Sequence, residues 1–408
     1  MDSLHANEPP AQLWGGRDDK APCGIAYDGH SPPSDSCAPN PDLCGNYQYI
    51  RMELCQHGDI EDFIKNHPKK MLSPCDCQNL LFQMAFALHV AGDRFGLKHY
   101  DVKLLNFFLQ SAKDPSIAEE EHPHVVLRYG VGSHVFSLRM HPSTAQVAKL
   151  ADYGTSMTSV DKDWQPVTIG QFTTLENTPP DYLILGNAAQ QGYGHDCFGL
   201  GLCMLHLFTG HGPYEEILDE VVCPENLKEE LRNIWKHESY GVIYSVMYEK
   251  DDNGKDIEYQ TLFDTLYRFL VLFGIPTNQF EMNKHGKVWH AISSTLLPPK
   301  RPRSKKCPDI DVFKEDRRKF SLADGVDKRI SGASLRLQSL DGAMELLLEL
   351  VSFDPKERAT PLDVINSKFM RGLIEARDVV YCKDDIVKFT QPYLTNESHL
   401  QPAAQITD

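Results

Sequence analysis

The chain has 408 residues, 41% of them hydrophobic and 24% charged, and a formal net charge of -16 at pH 7. That is an ordinary globular composition, with enough apolar mass for one two-lobed body or two domains. The acidic excess argues against a non-specific nucleic-acid or anionic-membrane binder, since both depend on surplus Lys and Arg, and it is compatible with basic protein partners.

Residues 1–46 repeat Pro, Gly, Ser and Asp with little periodicity and are predicted to be mostly disordered. They contain neither a basic end nor an apolar core, and no apolar run along the chain is long enough for a bilayer, so no signal peptide or membrane span is expected. Tyr47–Leu54 is apolar and β-branched and reads as a strand. Gly58-Asp59 reads as a helix start with Asp59 as N-cap. The next helix is predicted from about Cys77 to Asp93, with Leu80, Leu81, Met84, Ala85 and Leu88 on its core face. Cys75 and Cys77 are read as two thiols near its start. The 11 cysteines lack paired C-x-x-C units, which fits a reduced, intracellular protein.

Further on, residues 114–124 are an acidic loop, and residues 125–140 alternate as a hairpin with Gly130 and Gly132 near its turn. Ala145–Ala151 is strand-like, Gly192–Tyr214 holds a long buried helix, and Leu262–Pro276 is a strongly apolar helix. Residues 250–256 and 298–306 are predicted loops. The latter is basic and reads as a solvated loop or, alternatively, a nuclear-import patch on an otherwise cytoplasmic protein. Residues 342–353 and 362–375 carry the last two helices, and residues 376–408 form a polar tail.

Chemistry concentrates in HYDVKLLNFF, His99–Phe108, which spaces His, Asp, Lys and Asn as H-x-D-x-K-x-x-N. Asp152-Tyr153-Gly154 closes the strand-like run that follows. Thr174 then stands seven residues ahead of Asp181, within Pro179-Pro180-Asp181. Asp196 opens the long buried helix, which runs on to a Gly-x-x-Pro-Tyr turn, and Asp354-Pro355 lies ahead of Arg358. In this order the five segments resemble the catalytic loop, magnesium motif, activation-segment end, central helix and late arginine motif of eukaryotic protein kinases, from roughly Tyr47 to Leu373.

The resemblance implies an α+β, protein-kinase-like fold over residues 47–375, with a mainly helical C-lobe, a truncated or reduced β N-lobe, and inserts near 111–145 and 216–340. It implies an ATP- and Mg2+-dependent transferase acting on a protein substrate, with no nucleic-acid or membrane partner. Asp101 would be the carboxylate that takes the acceptor's proton and Lys103 the cation facing developing phosphate charge, with Asn106 and Asp152 as metal ligands. Lys103, two residues after the Asp, is the serine/threonine-type pattern. The backbone at Glu53 and Cys55 would meet the adenine edge, Asp59 the ribose, and Phe108 the nucleotide as well. Thr174 would face Asp101, and His99 would pack on the magnesium-motif segment rather than carry protons. Asp181 and Arg358 would form a buried ion pair, and Asp196 would cap its helix and accept catalytic-loop N–H groups.

Two departures matter. Tyr100 replaces the arginine that commonly follows this histidine and often receives an activation-loop phosphate. Neither G-x-G-x-x-G nor a V-A-I-K-like strand occurs. A shortened chain, a reduced small lobe, a catalytically inactive pseudokinase or scaffold, and a small-molecule phosphotransferase therefore stand as alternatives.

Overall fold

The structure is a computed structural model that describes residues 2–6, 47–51, 55–112, 125–132, 134–141, 145–158, 174–185, 192–237, 248–250, 256–258, 261–276, 286–298 and 308–374. It divides into an N-terminal unit, residues 1–56, and a larger unit, residues 57–408.

In the N-terminal unit, β1 (Asp2–Ala6) pairs antiparallel with β2 (Tyr47–Arg51) in the register Asp2↔Arg51 to Ala6↔Tyr47. Asp2–Ala6 thus departs from the disorder expected of residues 1–46, because the alternation in Ser3, Leu4 and His5 suffices for a strand once β2 supplies the hydrogen bonds. The rest of that segment, and Glu53, lie outside the described residues.

The larger unit begins with α1 (Ile60–Asn66) and α2 (Pro74–Phe95). Ser73 caps α2 by accepting the Asp76 amide at 3.1 Å, and Pro74 occupies its first turn. This start signal lengthens the helix beyond the span its apolar periodicity suggests. It ends at Gly96 in the left-handed region, φ 61°. All five predicted core residues of α2 are buried.

A chain turn at Leu104–Asn106 leads into β3 (Phe107–Ser111), which pairs antiparallel with β6 (Gln146–Leu150), Phe107 opposite Leu150. Between them β4 (Val125–Val131) and β5 (His134–Met140) form the expected hairpin, turning at Gly132 with φ 58°. Phe136 and Tyr129 of the hairpin lie 5.0 and 5.3 Å from the ring of Phe82 on α2. Gln83 of α2 accepts from Tyr129 Oη at 3.0 Å and from the Ala148 amide at 2.9 Å, fastening α2 to both β-elements.

Helices follow: α3 (Pro180–Leu185), α4 (Gly194–Thr209), α5 (Glu225–Trp235), α6 (Thr261–Phe273), α7 (Gly286–Leu296), α8 (Pro308–Phe320), α9 (Lys328–Gln338), α10 (Ala343–Leu350) and α11 (Pro361–Asn366). Short strands β7 (Tyr248–Lys250) and β8 (Asp256–Glu258) pair at the ends of the predicted loop 250–256. The last predicted helix is instead split, because Ser367 adopts an extended conformation between α11 and a 3₁₀ turn, Lys368–Leu373. The basic run 299–306 lies outside the described residues, as do residues 376–408. Among the described residues no helix is long and apolar enough to cross a membrane.

Helix α4 is the axis of this unit: every residue from His195 to Thr209 is buried. Its glycines set how close its neighbours come. A Cβ on Gly199 would lie 2.7 Å from the Val102 carbonyl oxygen, and one on Gly201 would lie 2.6 Å from Val351 Cγ1. We expect Gly199→Ala to destabilise the fold by roughly 1–3 kcal/mol through overpacking against the loop backbone, read as a lower urea midpoint at unchanged slope. An unshifted midpoint would mean that the loop gives way freely.

Candidate active site

The loop 99–106 is held at both ends by backbone pairing. Lys98 and Met157 exchange hydrogen bonds of 2.8 and 2.9 Å, and the Ala151 amide donates to the Asn106 carbonyl at 2.9 Å. The second bond continues the β3/β6 register and pairs Asn106 with Ala151, the residue before Asp152. Of the three non-glycine residues with positive φ among the described residues, two lie here, Tyr100 at 62° and Asp152 at 58°. Such backbone is sparsely populated and persists where its surroundings impose it.

Asp196 imposes part of it. Its carboxylate accepts the His99 and Tyr100 amides, each at 2.7 Å. The expected helix cap does not form: α4 begins at Gly194, so Asp196 lies inside its first turn and turns its oxygens to the loop instead. Burial pushes its carboxyl up, and the two N–H donors oppose that shift.

His99 is fully buried. Its Nε2 lies 2.9 Å from the Ala151 carbonyl, which can only accept, so Nε2 carries the proton; its ring packs 5.7 Å from that of Tyr153. The Thr155 hydroxyl donates to the His99 carbonyl at 2.9 Å. Tyr100 packs edge-on to His195 at 5.5 Å, and burial pushes its hydroxyl up to about 12.

The reactive cluster is compact. Asp101 is 6% exposed and receives Lys103 Nζ at 2.9 Å and Asn106 Nδ2 at 3.0 Å. Lys103 Nζ also donates to Thr174 Oγ1 at 2.7 Å, while Asn106 Nδ2 donates to the Asp101 carbonyl at 2.7 Å. Burial raises the Asp101 carboxyl, but bonds from Lys103, Thr174 and Asn106 outweigh it and hold the group below the usual carboxylate range. An ionised carboxylate beside a fixed ammonium can orient a hydroxyl and take its proton.

Asn106 and Asp152 offer a cation oxygen donors only. With the Asn106 amide nitrogen engaged by Asp101, its carbonyl oxygen is the atom left to ligate. Two such ligands suit magnesium, which completes its sphere with phosphate and water, and no group of three or more His, Cys, Asp or Glu able to hold a metal exists among the described residues.

Two of the nucleotide-side residues lie in the larger unit. Asp59 and Phe108 meet in an antiparallel bridge, and the Leu109 amide donates to the Gly58 carbonyl at 2.8 Å. Asp59 also caps α1, accepting the Asp62 amide at 2.8 Å. Glu53 lies outside the described residues, and Cys55 belongs to the N-terminal unit. On the far side, Asp181 and Arg358 form the expected buried ion pair, with Arg358 also donating to the Ser352 and Gly194 carbonyls at 2.8 Å each.

The sequence profile of the protein kinase domain matches residues 44–370. The chain belongs to the protein kinase family. The matched span contains every motif from His99 to Arg358. Among solved structures, the yeast RNA Pol II CTD kinase CTDK-1 complex is similar to this chain at 11% identity and a TM-score of 0.41, over 79% of this chain and 70% of that one. No curated protein sequence matches.

Sequence reading missed the cleft beside Lys103 lined by Glu61, His206 and Glu215. Its one signal was the acid pair Glu215-Glu216 directly after the turn that ends the central-helix motif.

Proposed function

We propose that the chain is an ATP- and magnesium-dependent protein serine/threonine kinase. The observation that carries this reading is the position of Lys103 Nζ, 2.9 Å from the Asp101 carboxylate and 2.7 Å from the Thr174 hydroxyl. Asp101 orients the acceptor hydroxyl and takes its proton as the new oxygen–phosphorus bond forms and the bond to the leaving phosphate breaks. Lys103 places its ammonium where charge gathers on the transferred group, and Thr174 fixes that ammonium from the opposite side. ATP with magnesium supplies the phosphoryl group and neutralises the phosphate oxygens; Asn106 and Asp152 would hold the metal. The Asp181–Arg358 pair, which belongs to kinases with protein substrates in the family pattern, supports a protein acceptor.

The second reading is a binding-only member, favoured by the lack of a Gly-rich loop and a strand lysine in this sequence. Transfer from radiolabelled ATP to a generic basic protein separates the two. We expect serine and threonine labelling that falls to background with EDTA and returns with added magnesium. A folded protein that labels neither protein nor small alcohols would overturn the kinase reading.

A further inference from the structure

A cavity of about 300 Å³ lies between the end of α7 and α8, walled by Leu296, Leu297, Pro298, Phe313, Lys314 and Arg317. Its floor is apolar: Leu296 and Phe313 are buried, and the Phe313 ring packs 5.9 Å from that of Tyr267 on α6. Leu297 on its wall is 37% exposed. Val326, 59% exposed, is tied to the same place by its amide, which donates at 3.1 Å to the carbonyl of Arg318, another lining residue. Large apolar side chains left in water around an apolar cavity mark an interaction surface.

The charge of this face runs against that of the chain. Residues 298–319 hold nine Lys or Arg against four Asp or Glu, whereas the whole chain carries a net charge of -16. Arg317 is half-buried and spends its guanidinium on neutral acceptors: the Leu270 and Val271 carbonyls at 3.2 and 3.0 Å and the Ser321 hydroxyl at 3.2 Å. Burial lowers its pKa, with the charge of Asp324 opposing. Among the described residues neither Arg317 nor Lys314 forms an ion pair, while Arg318 pairs with Glu315. A positive charge held in a low-dielectric wall without a counter-ion gains from an anion brought beside it.

We propose that this face docks an acidic segment of a partner protein, with one Leu, Phe or Trp side chain filling the cavity and neighbouring carboxylates meeting the charges of Lys314 and Arg317. A peptide segment fits better than a small ligand because the cations extend past the cavity: residues 300–306, directly ahead of α8, add five Lys or Arg. It fits better than an anionic membrane because a broad negative surface also meets the acidic remainder of the chain, whereas a short segment meets this face alone. The cavity shares no residue with the cluster around Asp101, so this inference goes beyond the kinase reading and does not depend on it.

The test is fluorescence anisotropy of the full chain with labelled nonapeptides of glutamate and serine that carry Leu, Phe, Trp or Ala at the centre. At least one of the three large residues should bind about tenfold or more tightly than Ala, and that ratio should fall toward one in Leu297→Asp. Lys314→Glu should weaken the acidic peptides about fivefold or more and turn the preference toward the same peptides with lysine in place of glutamate. Both positions are exposed, so the variants should fold, as circular dichroism would confirm. No ATP is present, so the result stands whether or not the protein transfers phosphate. Equal affinity for all four centres, which is charge attraction alone, or a preference unchanged in either variant overturns the proposal. Binding to phosphatidylserine-containing vesicles that Lys314→Glu abolishes, with no binding of the peptides, assigns the face to lipid and overturns it as well.

Discussion

Replacing Asp101 by Asn should lower kcat for phosphoryl transfer by roughly 10²–10⁴-fold while the protein stays folded. The side chain keeps its volume within the loop, and its Oδ1 can still accept from Lys103 or Asn106. What it loses is proton affinity, together with the negative charge that balances Lys103. The carboxylate is held below its usual range, chiefly by Lys103 in opposition to burial, so it is ionised throughout neutral pH. The wild-type rate should therefore show no Asp101 limb between about pH 5 and 8. Because the folded value is depressed, Asp101 contributes stability that is present above its unfolded pKa of about 3.9 and is lost as pH falls through the folded value. Asp101→Asn should flatten the stability curve only at that acid end. Steady-state transfer and melts from pH 3 to 7 check both statements, and a variant with wild-type kcat would remove Asp101 from the chemistry.

The second large effect is on stability. Arg358→Ala should cost roughly 3–5 kcal/mol, because it strands a fully buried carboxylate on Asp181. Burial already pushes that carboxyl up, and the Arg358 guanidinium opposes the shift. Arg358 also satisfies the Ser352 and Gly194 carbonyls and stacks 5.2 Å over Phe198. Asp181→Ala should cost less, since the arginine keeps those carbonyl acceptors. Replacing both by Leu and Met should recover part of the loss by removing the stranded charge, though the orphaned carbonyls remain. Urea denaturation of the three variants orders them, and an Asp181→Ala cost above that of Arg358→Ala would refute the account. Gly194 opens α4, so the same arginine ties the helix that holds Asp196, and through it the loop, to the late motif.

Much of this was legible in the residues. The H-x-D-x-K-x-x-N spacing places four chemical groups within one turn and one strand start, and local backbone geometry brings Asp101, Lys103 and Asn106 within hydrogen-bond reach. The apolar period of α2 and the alternation through Val125–Met140 marked a helix and a hairpin, because those signals arise from neighbours in sequence. The role of Asp196 was only half legible: an acid at a helix start suggests a cap, yet competing amides from the distant loop claim its oxygens.

By itself, then, the sequence determined the family, the order of its elements and which short segments carry chemistry, since motif spacing and periodicity are local properties of the chain. Only the tertiary structure decided the rest. The β3/β6 register pairs Asn106 with Ala151, next to Asp152; the small face of α4 lets Gly199 meet Val102; and Glu61 lines one cleft with His206 and Glu215, which lie far from it in the chain. These depend on how close separate elements approach, which is set by side-chain volume and by hydrogen bonds that cross long sequence separations, and no pattern along one segment contains that information.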